Sequence, residues 1–235
     1  METVYILIAA LAPAAVLFYY IYRKDRAKQE PVAELLKAFG LGVLSIFVSL
    51  TISLPLGALG LYSDYPETFL GCVATSFFGA AIPEEIAKFL MFWLLVRRNR
   101  FFDEKMDGIV YASCVALGFA ALENIGYLFS NYDAWLSVGI SRALFSVPGH
   151  FFFGVLMGYY YSLVRFDPLT PKYKRYMVLG APILAHGAYN SVLFIRDVTP
   201  ALSMVLMIVF LLLCNKLRIY ASARIQEHLK NDGVI

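Results

Sequence analysis

Charge is scarce in this chain. Of its 235 residues only 16% are Asp, Glu, Lys or Arg, and 60% are hydrophobic, where a soluble domain carries about 25% charged residues. With a mean hydropathy of +0.67, that shortfall excludes a disordered chain and an ordinary soluble enzyme. Cysteine is scarce as well. Cys72, Cys114 and Cys214 show no C-x-x-C spacing, which excludes a disulfide scaffold and leaves small apolar packing residues. No G-x-S-x-G and no H-E-x-x-H occurs, so neither a serine nucleophile elbow nor a helix-borne zinc pair is written in the text. Alternating strand-like patterning, internal repeats and low-complexity tracts are also missing. The net charge of +3 does not ask for a nucleic-acid partner, because basic loops beside anionic lipid account for it.

What is present is long apolar runs. A membrane-spanning helix needs roughly 20 mostly apolar residues, and seven stretches qualify, at about 4–22, 38–59, 68–96, 108–130, 137–164, 177–195 and 200–220. Helix is the expected structure for each, since the hydrocarbon tolerates no unpaired backbone. The expected fold is an all-α membrane protein, a bundle of about seven transmembrane helices. It forms one polytopic domain over 1–235, with a catalytic core at about 68–195.

Seventeen of the 20 Lys and Arg residues follow the first, third, fifth and seventh runs, and the alternate loops hold only Arg196. By the positive-inside rule the N-terminus lies outside and the C-terminus in the cytoplasm of a multi-pass cell-membrane protein. The first run carries its basic residues after the apolar stretch with no A-x-A-like site between, so it reads as a retained helix and not a cleaved signal peptide.

A few ionisable groups remain inside the runs: Glu84, Glu85, Lys88, Glu123, Arg142, His150 and His186. Each charge at mid-bilayer costs about 2.5–3.5 kcal/mol on insertion scales, which makes a functional site facing the bundle interior the default reading. Depth supports convergence. At 1.5 Å per residue Glu84 lies about 20 Å from Arg97, Glu123 about 24 Å from Asp107, His150 about 22 Å from Arg165 and His186 about 16 Å from Arg175. Four groups on four helices therefore share one level, at or slightly outside the midplane. Arg142, near the outer end of its run, is expected to snorkel to the interface. His228 is expected in a solvated tail.

Spacing adds detail. Glu84 and Lys88 stand at i, i+4, so they can pair on one face. The pair would hold a carboxylate ionised and oriented, or would be only a structural bridge. Glu85 points about 100° away. His186 and Asn190 are also i, i+4, and Asn190 would fix the imidazole or donate to an oxyanion. Asn124 adjoins Glu123, and Tyr127 lies one turn on. Pro83, Pro148 and Pro182 stand just before these groups. Proline opens the backbone ladder, which a wet or protein-lined cavity can satisfy at membrane depth. Gly154 and Gly158 would let a neighbouring helix approach closely.

Three jobs fit such a cavity. Hydrolysis would use a Glu to take a proton from water, aided by His or by a metal that acidifies the water. Catalytic zinc commonly takes three protein ligands, and His150, His186 and one Glu would supply them. Proton-coupled transport would use Glu and His as a relay, although no matching halves are visible. A scaffold would use the polar core only to specify packing.

The motifs resemble those of the PrsW family of intramembrane proteases. Glu84-Glu85-Ile86-Ala87-Lys88 resembles its E-E-x-x-K motif, and Phe119 to Asn124 with Tyr127 resembles F-x-x-x-E-N-x-x-Y. His150 and the His186-Gly187-Ala188-Tyr189-Asn190 segment resemble its two histidine segments, and Glu30-Pro31 and Asp103 to Tyr111 resemble flanking signatures. The resemblance covers about residues 10–195 and extends to type II CAAX prenyl proteases and bacteriocin-processing proteases. It implies an intramembrane endopeptidase, with site-1 cleavage of a single-span anti-sigma factor as the family's best-known role. On that reading Glu84 is the general base, oriented by Lys88. Glu85 and Glu123 shape the water site or join His150 and His186 in binding a metal, and Asn190, with Asn124 nearby, supports the oxyanion. Family members often carry Asp at the position of Asn190, and the prenyl-protease relatives carry His at that of Glu123. Zn2+ and a metal-free Glu/His mechanism both remain open at this point.

Overall fold

In the computed structural model residues 2–25 and 28–233 are described, and no strand occurs among them. In chain order the helices are α1 (Glu2–Lys24), α2 (Val32–Ala58), α3 (Phe69–Ala74), α4 (Ile82–Val96), α5 (Lys105–Ser130), α6 (Trp135–Ser141), α7 (Val147–Phe166), α8 (Lys174–Val198) and α9 (Ser203–Asn231). A π-helical segment, Thr75–Ala81, joins α3 to α4, and a second, Arg142–Ser146, joins α6 to α7. Among the described residues six continuous rods are long and apolar enough to cross a membrane, with Tyr132–Phe166 counted as one. The stretch 69–96 makes a seventh rod, divided by its π segment. The seven expected runs thus correspond to seven helical rods.

Helix α5 is the axis of the bundle. Nearly every residue from Met106 to Ala121 is buried, as expected of a helix apolar on all sides. In lipid there is little hydrophobic drive between helices, so association depends on close packing of small residues. A Cβ added at Gly158 of α7 would stand 2.1 Å from the Gly108 carbonyl oxygen of α5. On the other side of α5, a Cβ at Gly42 of α2 would meet the Val115 carbonyl at 2.0 Å, and one at Gly118 would meet the Phe39 carbonyl at 2.0 Å. The backbones of α2, α5 and α7 therefore touch. Gly158→Val is expected to force α7 off α5 and to cost about 1–3 kcal/mol or more. Thermal unfolding in detergent checks this; an unchanged midpoint would mean the α5–α7 contact is not tight.

The N-terminus of α5 is fixed by a reciprocal cap. The Asp107 carboxylate accepts from the Asp103 and Glu104 backbone N–H groups at 2.8 Å each, and the Glu104 side chain accepts from the Asp107 backbone. Such a box satisfies donors that the first helical turn leaves open.

The two π segments stand directly before Pro83 and Pro148. Proline lacks an N–H, and its ring collides with the carbonyl four residues back. A wider turn relieves both problems: the Ile82 N–H bonds to the Phe77 carbonyl and the Val147 N–H to the Arg142 carbonyl, each five residues back. Pro182, by contrast, lies inside an unbroken α8. π turns often sit at functional sites, and here they set the rotation of Glu84, Glu85 and Lys88 on α4 and of His150 on α7.

Helix α9 continues well past the expected run, to Asn231. The expectation of a solvated His228 is overturned. Ala221, Ile225, His228 and Leu229 form one face that folds against α7, leaving His228 fully buried with its ring stacked on Tyr159 at 4.6 Å.

Candidate active site

The ionisable groups on α4, α5, α7 and α8 meet in one cluster, as their shared depth predicts. Lys88 is its centre. The side chain is 1% exposed, and Nζ lies 3.2 Å from Glu84 Oε2, 2.9 Å from Glu85 Oε1 and 3.0 Å from His150 Nδ1. An ammonium has three protons to donate, so these three acceptors use all of them. The ammonium also sits 4.0 Å from the centre of the Phe119 ring, a cation–π contact that strengthens away from water.

These contacts fix the tautomer of His150 and constrain that of His186. A charged Lys88 can only donate, so His150 Nδ1 accepts and its proton resides on Nε2, which donates to Glu123 Oε2 at 2.9 Å. His186 presents Nδ1 to Glu85 Oε1 at 2.9 Å. In the neutral ring with Nδ1–H bound to that carboxylate, Nε2 is an acceptor, 4.0 Å from Glu84 Oε2. Phe153 stacks on the His186 ring at 4.7 Å and holds its plane. The orienting partner of His186 is therefore Glu85 and not Asn190. Asn190 instead faces the cavity wall.

Glu123 belongs to a second knot. Its Oε2 accepts from Arg142 Nη2 at 2.6 Å and from His150. Arg142 Nε donates to Asn124 Oδ1 at 2.5 Å, and Asn124 Nδ2 donates to the Ala10 carbonyl of α1 at 2.9 Å. The Tyr127 ring covers the guanidinium at 3.9 Å. Arg142 does not snorkel, contrary to expectation: it is 8% exposed and pairs inward. The π segment that begins at Arg142 turns its side chain towards α5, where a carboxylate already stands. Buried carboxylates need such partners to offset lost hydration.

A cavity of about 320 Å³ opens beside the cluster, lined by Glu84, Glu123, Arg142, His150, His186 and Asn190 and reaching Arg196 and Asp197 at the end of α8. A second, more apolar groove of about 630 Å³ lies between α2 and α5 and shares Glu84 and Glu123 with the first. Its wall includes Phe47 and Leu50, which are exposed on the outer surface of the bundle. The cluster is thus reachable both from one end of the bundle and from its side.

Donor atoms of Glu84, Glu85, His150 and His186 all lie within 4.8 Å of one another. Two imidazoles and two carboxylates are a zinc-type donor set, and Glu85 Oε2 is buried without a hydrogen-bond partner among the described residues. The residues fit a metal ion on both counts, with Glu84 and not Glu123 completing the compact set. In the arrangement described, Lys88 supplies the positive charge at this point and occupies His150 Nδ1.

Two contributors were not singled out from the sequence: Phe153 against His186, and Arg142 as the partner of Glu123. For Arg142 the signal was its place inside an apolar run. Phe153 carries no signal that sets it apart from ordinary core, whereas Phe119, beneath Lys88, opens the F-x-x-x-E-N-x-x-Y motif.

A profile described as PrsW family intramembrane metalloprotease matches residues 30–214. The chain is 33% identical over 225 residues to Protease PrsW of Clostridioides difficile (strain 630), covering 94% of this chain and 91% of that protein. It is 35% identical over 189 residues to Protease PrsW of Geobacillus kaustophilus (strain HTA426), covering 80% of each. Identity to Protease PrsW of Bacillus subtilis (strain 168) is also 35% over 189 residues, covering 80% of this chain and 82% of that protein. No solved structure matches the chain.

Proposed function

The chain belongs to the PrsW family of intramembrane metalloproteases, and on that premise we propose that it hydrolyses a peptide bond of a single-span membrane protein with Glu84 as the general base. As a multi-pass bacterial membrane protease it is a hydrolase, which sets aside the transporter and scaffold readings. One observation carries the assignment of Glu84. Glu84 Oε2 and His186 Nε2 stand 4.0 Å apart, and with His186 as the neutral Nδ1–H tautomer both accept hydrogen bonds. They border the same cavity. That separation suits one water oxygen donating to both.

The water gives a proton to Glu84 as its oxygen attacks the scissile carbonyl. Glu84 then returns that proton to the leaving nitrogen as the C–N bond breaks, producing one carboxyl and one amine terminus. Lys88 holds the Glu84 and Glu85 carboxylates in place. Glu85 holds His186 Nδ1–H, so that Nε2 faces the water. The Asn190 amide, on the cavity wall, donates to the developing oxyanion. Glu123, Asn124 and Arg142 fix His150 from behind. Glu85, His150 and His186 would hold a zinc ion, leaving the Glu84 carboxylate free as the base; the family's description as metalloproteases and the closeness of these donors support this. Bound zinc lowers the pKa of its water to about 7.

The basic loops lie at the end of the bundle opposite Arg196 and Asp197. By the positive-inside rule the cavity opens on the extracytoplasmic side, and the groove between α2 and α5 admits the substrate from the lipid. An extracytoplasmic cut agrees with the family resemblance to site-1 cleavage of a transmembrane anti-sigma factor, which is the substrate class we propose.

Metal content and cleavage test this together. The protein purified in detergent should hold one zinc per chain and lose it in His186→Ala. Its cleavage of a single-span substrate should stop with chelator and return with zinc. Full cleavage by metal-free protein would remove zinc from the scheme while leaving Glu84 and His186 as the water-activating pair.

A further inference from the structure

A second cluster of buried carboxylates lies at the other end of the bundle, among the basic loops. Asp25 follows α1, Glu30 precedes α2, and Asp107 stands in the first turn of α5. All three are buried, and one oxygen from each lies within 4.8 Å of the others. An acidic cluster alone would say little. Here Asp25 is 1% exposed, and beyond a weak approach of the Glu30 backbone N–H neither of its carboxylate oxygens meets a hydrogen-bond partner among the described residues. Asp107 Oδ1 is likewise buried and unpartnered, although Asp107 Oδ2 caps α5. Glu30 Oε2 accepts from the Tyr111 hydroxyl. Lys28, close by in the chain, pairs with Asp103 at 2.5 Å.

Three buried carboxylate oxygens without a well-formed hydrogen bond among the described residues, in a group this close, are costly, since unpaired buried charge is strongly destabilising. Burial, reinforced by the Glu104 and Glu30 carboxylates, pushes the Asp25 carboxyl up to about 7. The donors are oxygen only, with no imidazole or thiolate among them, which favours a hard cation over zinc. Ca2+–oxygen distances of about 2.3–2.6 Å place opposite ligands close to 4.8 Å apart.

We propose that Asp25, Glu30 and Asp107 form a binding site for a hard divalent cation, Mg2+ or Ca2+, distinct from the catalytic cluster. The ion would clamp the segment between α1 and α2 onto the N-terminus of α5. By the charge distribution this end faces the cytoplasm.

The test uses the full chain in detergent, stripped with EDTA and then given Mg2+ or Ca2+ separately. Each titration reads thermal unfolding and binding stoichiometry. Saturating cation should raise the midpoint by about 5 °C, as expected for a ligand near 100 times its Kd acting on a chain of this size. One ion should bind per chain, and the tighter of the two names the occupant. Asp25→Asn and Glu30→Gln should each abolish the shift, and His186→Ala should keep it. Where an acidic-cluster variant does not fold, Tb3+ luminescence in the wild type provides the reading. It should be displaced by the same cation and weakened in Tyr111→Phe. No shift with either cation overturns the proposal, as does an equal shift in Asp25→Asn, or a shift lost only in His186→Ala.

Discussion

Glu84→Gln is expected to abolish cleavage while leaving the protein folded. A positioned general base contributes about 10²–10⁴-fold, so kcat should fall at least a hundredfold. Folding should survive because the amide oxygen of Gln can still accept from Lys88, and because the bond it replaces, at 3.2 Å, is the longest of the three that Lys88 makes. The change removes a proton acceptor without emptying space. The measurement is cleavage of a single-span substrate alongside the thermal midpoint. Full activity would take Glu84 out of the role. Loss of activity together with a collapsed midpoint would make it a structural residue.

Lys88→Met should have the largest effect on stability. Lys88 is surrounded by two carboxylates and an imidazole, and Glu85, its nearest partner at 2.9 Å, is fully buried. Removing one member of a buried ion pair leaves the other uncompensated and costs about 3–5 kcal/mol. Removing both should cost far less, so Lys88→Met/Glu85→Gln is expected to recover much of the loss. The two substitutions would then be strongly non-additive, as expected of residues in direct contact. Reversible unfolding in detergent, read for both single variants and the double, supplies the cycle. If Lys88→Met shifted stability by less than about 1 kcal/mol, the ammonium would not be balancing these carboxylates.

Much of this site is legible in the sequence because helices and membranes impose strict geometry. The rise per residue and the thickness of the hydrocarbon place Glu84, Glu123, His150 and His186 at one depth, and the structure brings them within hydrogen-bonding chains of one another. The Glu84–Lys88 pair follows from i, i+4 spacing alone, and Gly154 and Gly158 do face a neighbouring backbone. Rotation about each helix axis is harder to read. A π turn inserts one residue and swings everything after it by about 100°, and depth alone, which puts Arg142 near the outer end of its run, does not show that it turns inward to Glu123. Glu85 shows the same limit: its 100° offset from Glu84 is correct along α4, but only the position of α8 reveals that it meets His186. The Asp25–Glu30–Asp107 group spans 82 positions of sequence with no spacing rule to unite it. Its only trace is that Glu30 and Asp107 fall in two of the flanking signatures.

The pair of acceptors formed by Glu84 Oε2 and His186 Nε2 also defines what a small-molecule inhibitor should look like. Two lone pairs facing a single point reject a bare carbonyl oxygen and welcome a group that offers two hydrogens from neighbouring atoms. A hydrated ketone does so: its geminal hydroxyls mimic the tetrahedral adduct and could donate one to each side. A simple amide isostere at the same position would bring no such donors. The groove between α2 and α5 adds a requirement for an apolar flank, so potency should reside in compounds that join a gem-diol warhead to a lipophilic arm long enough to lie along Phe47 and Leu50.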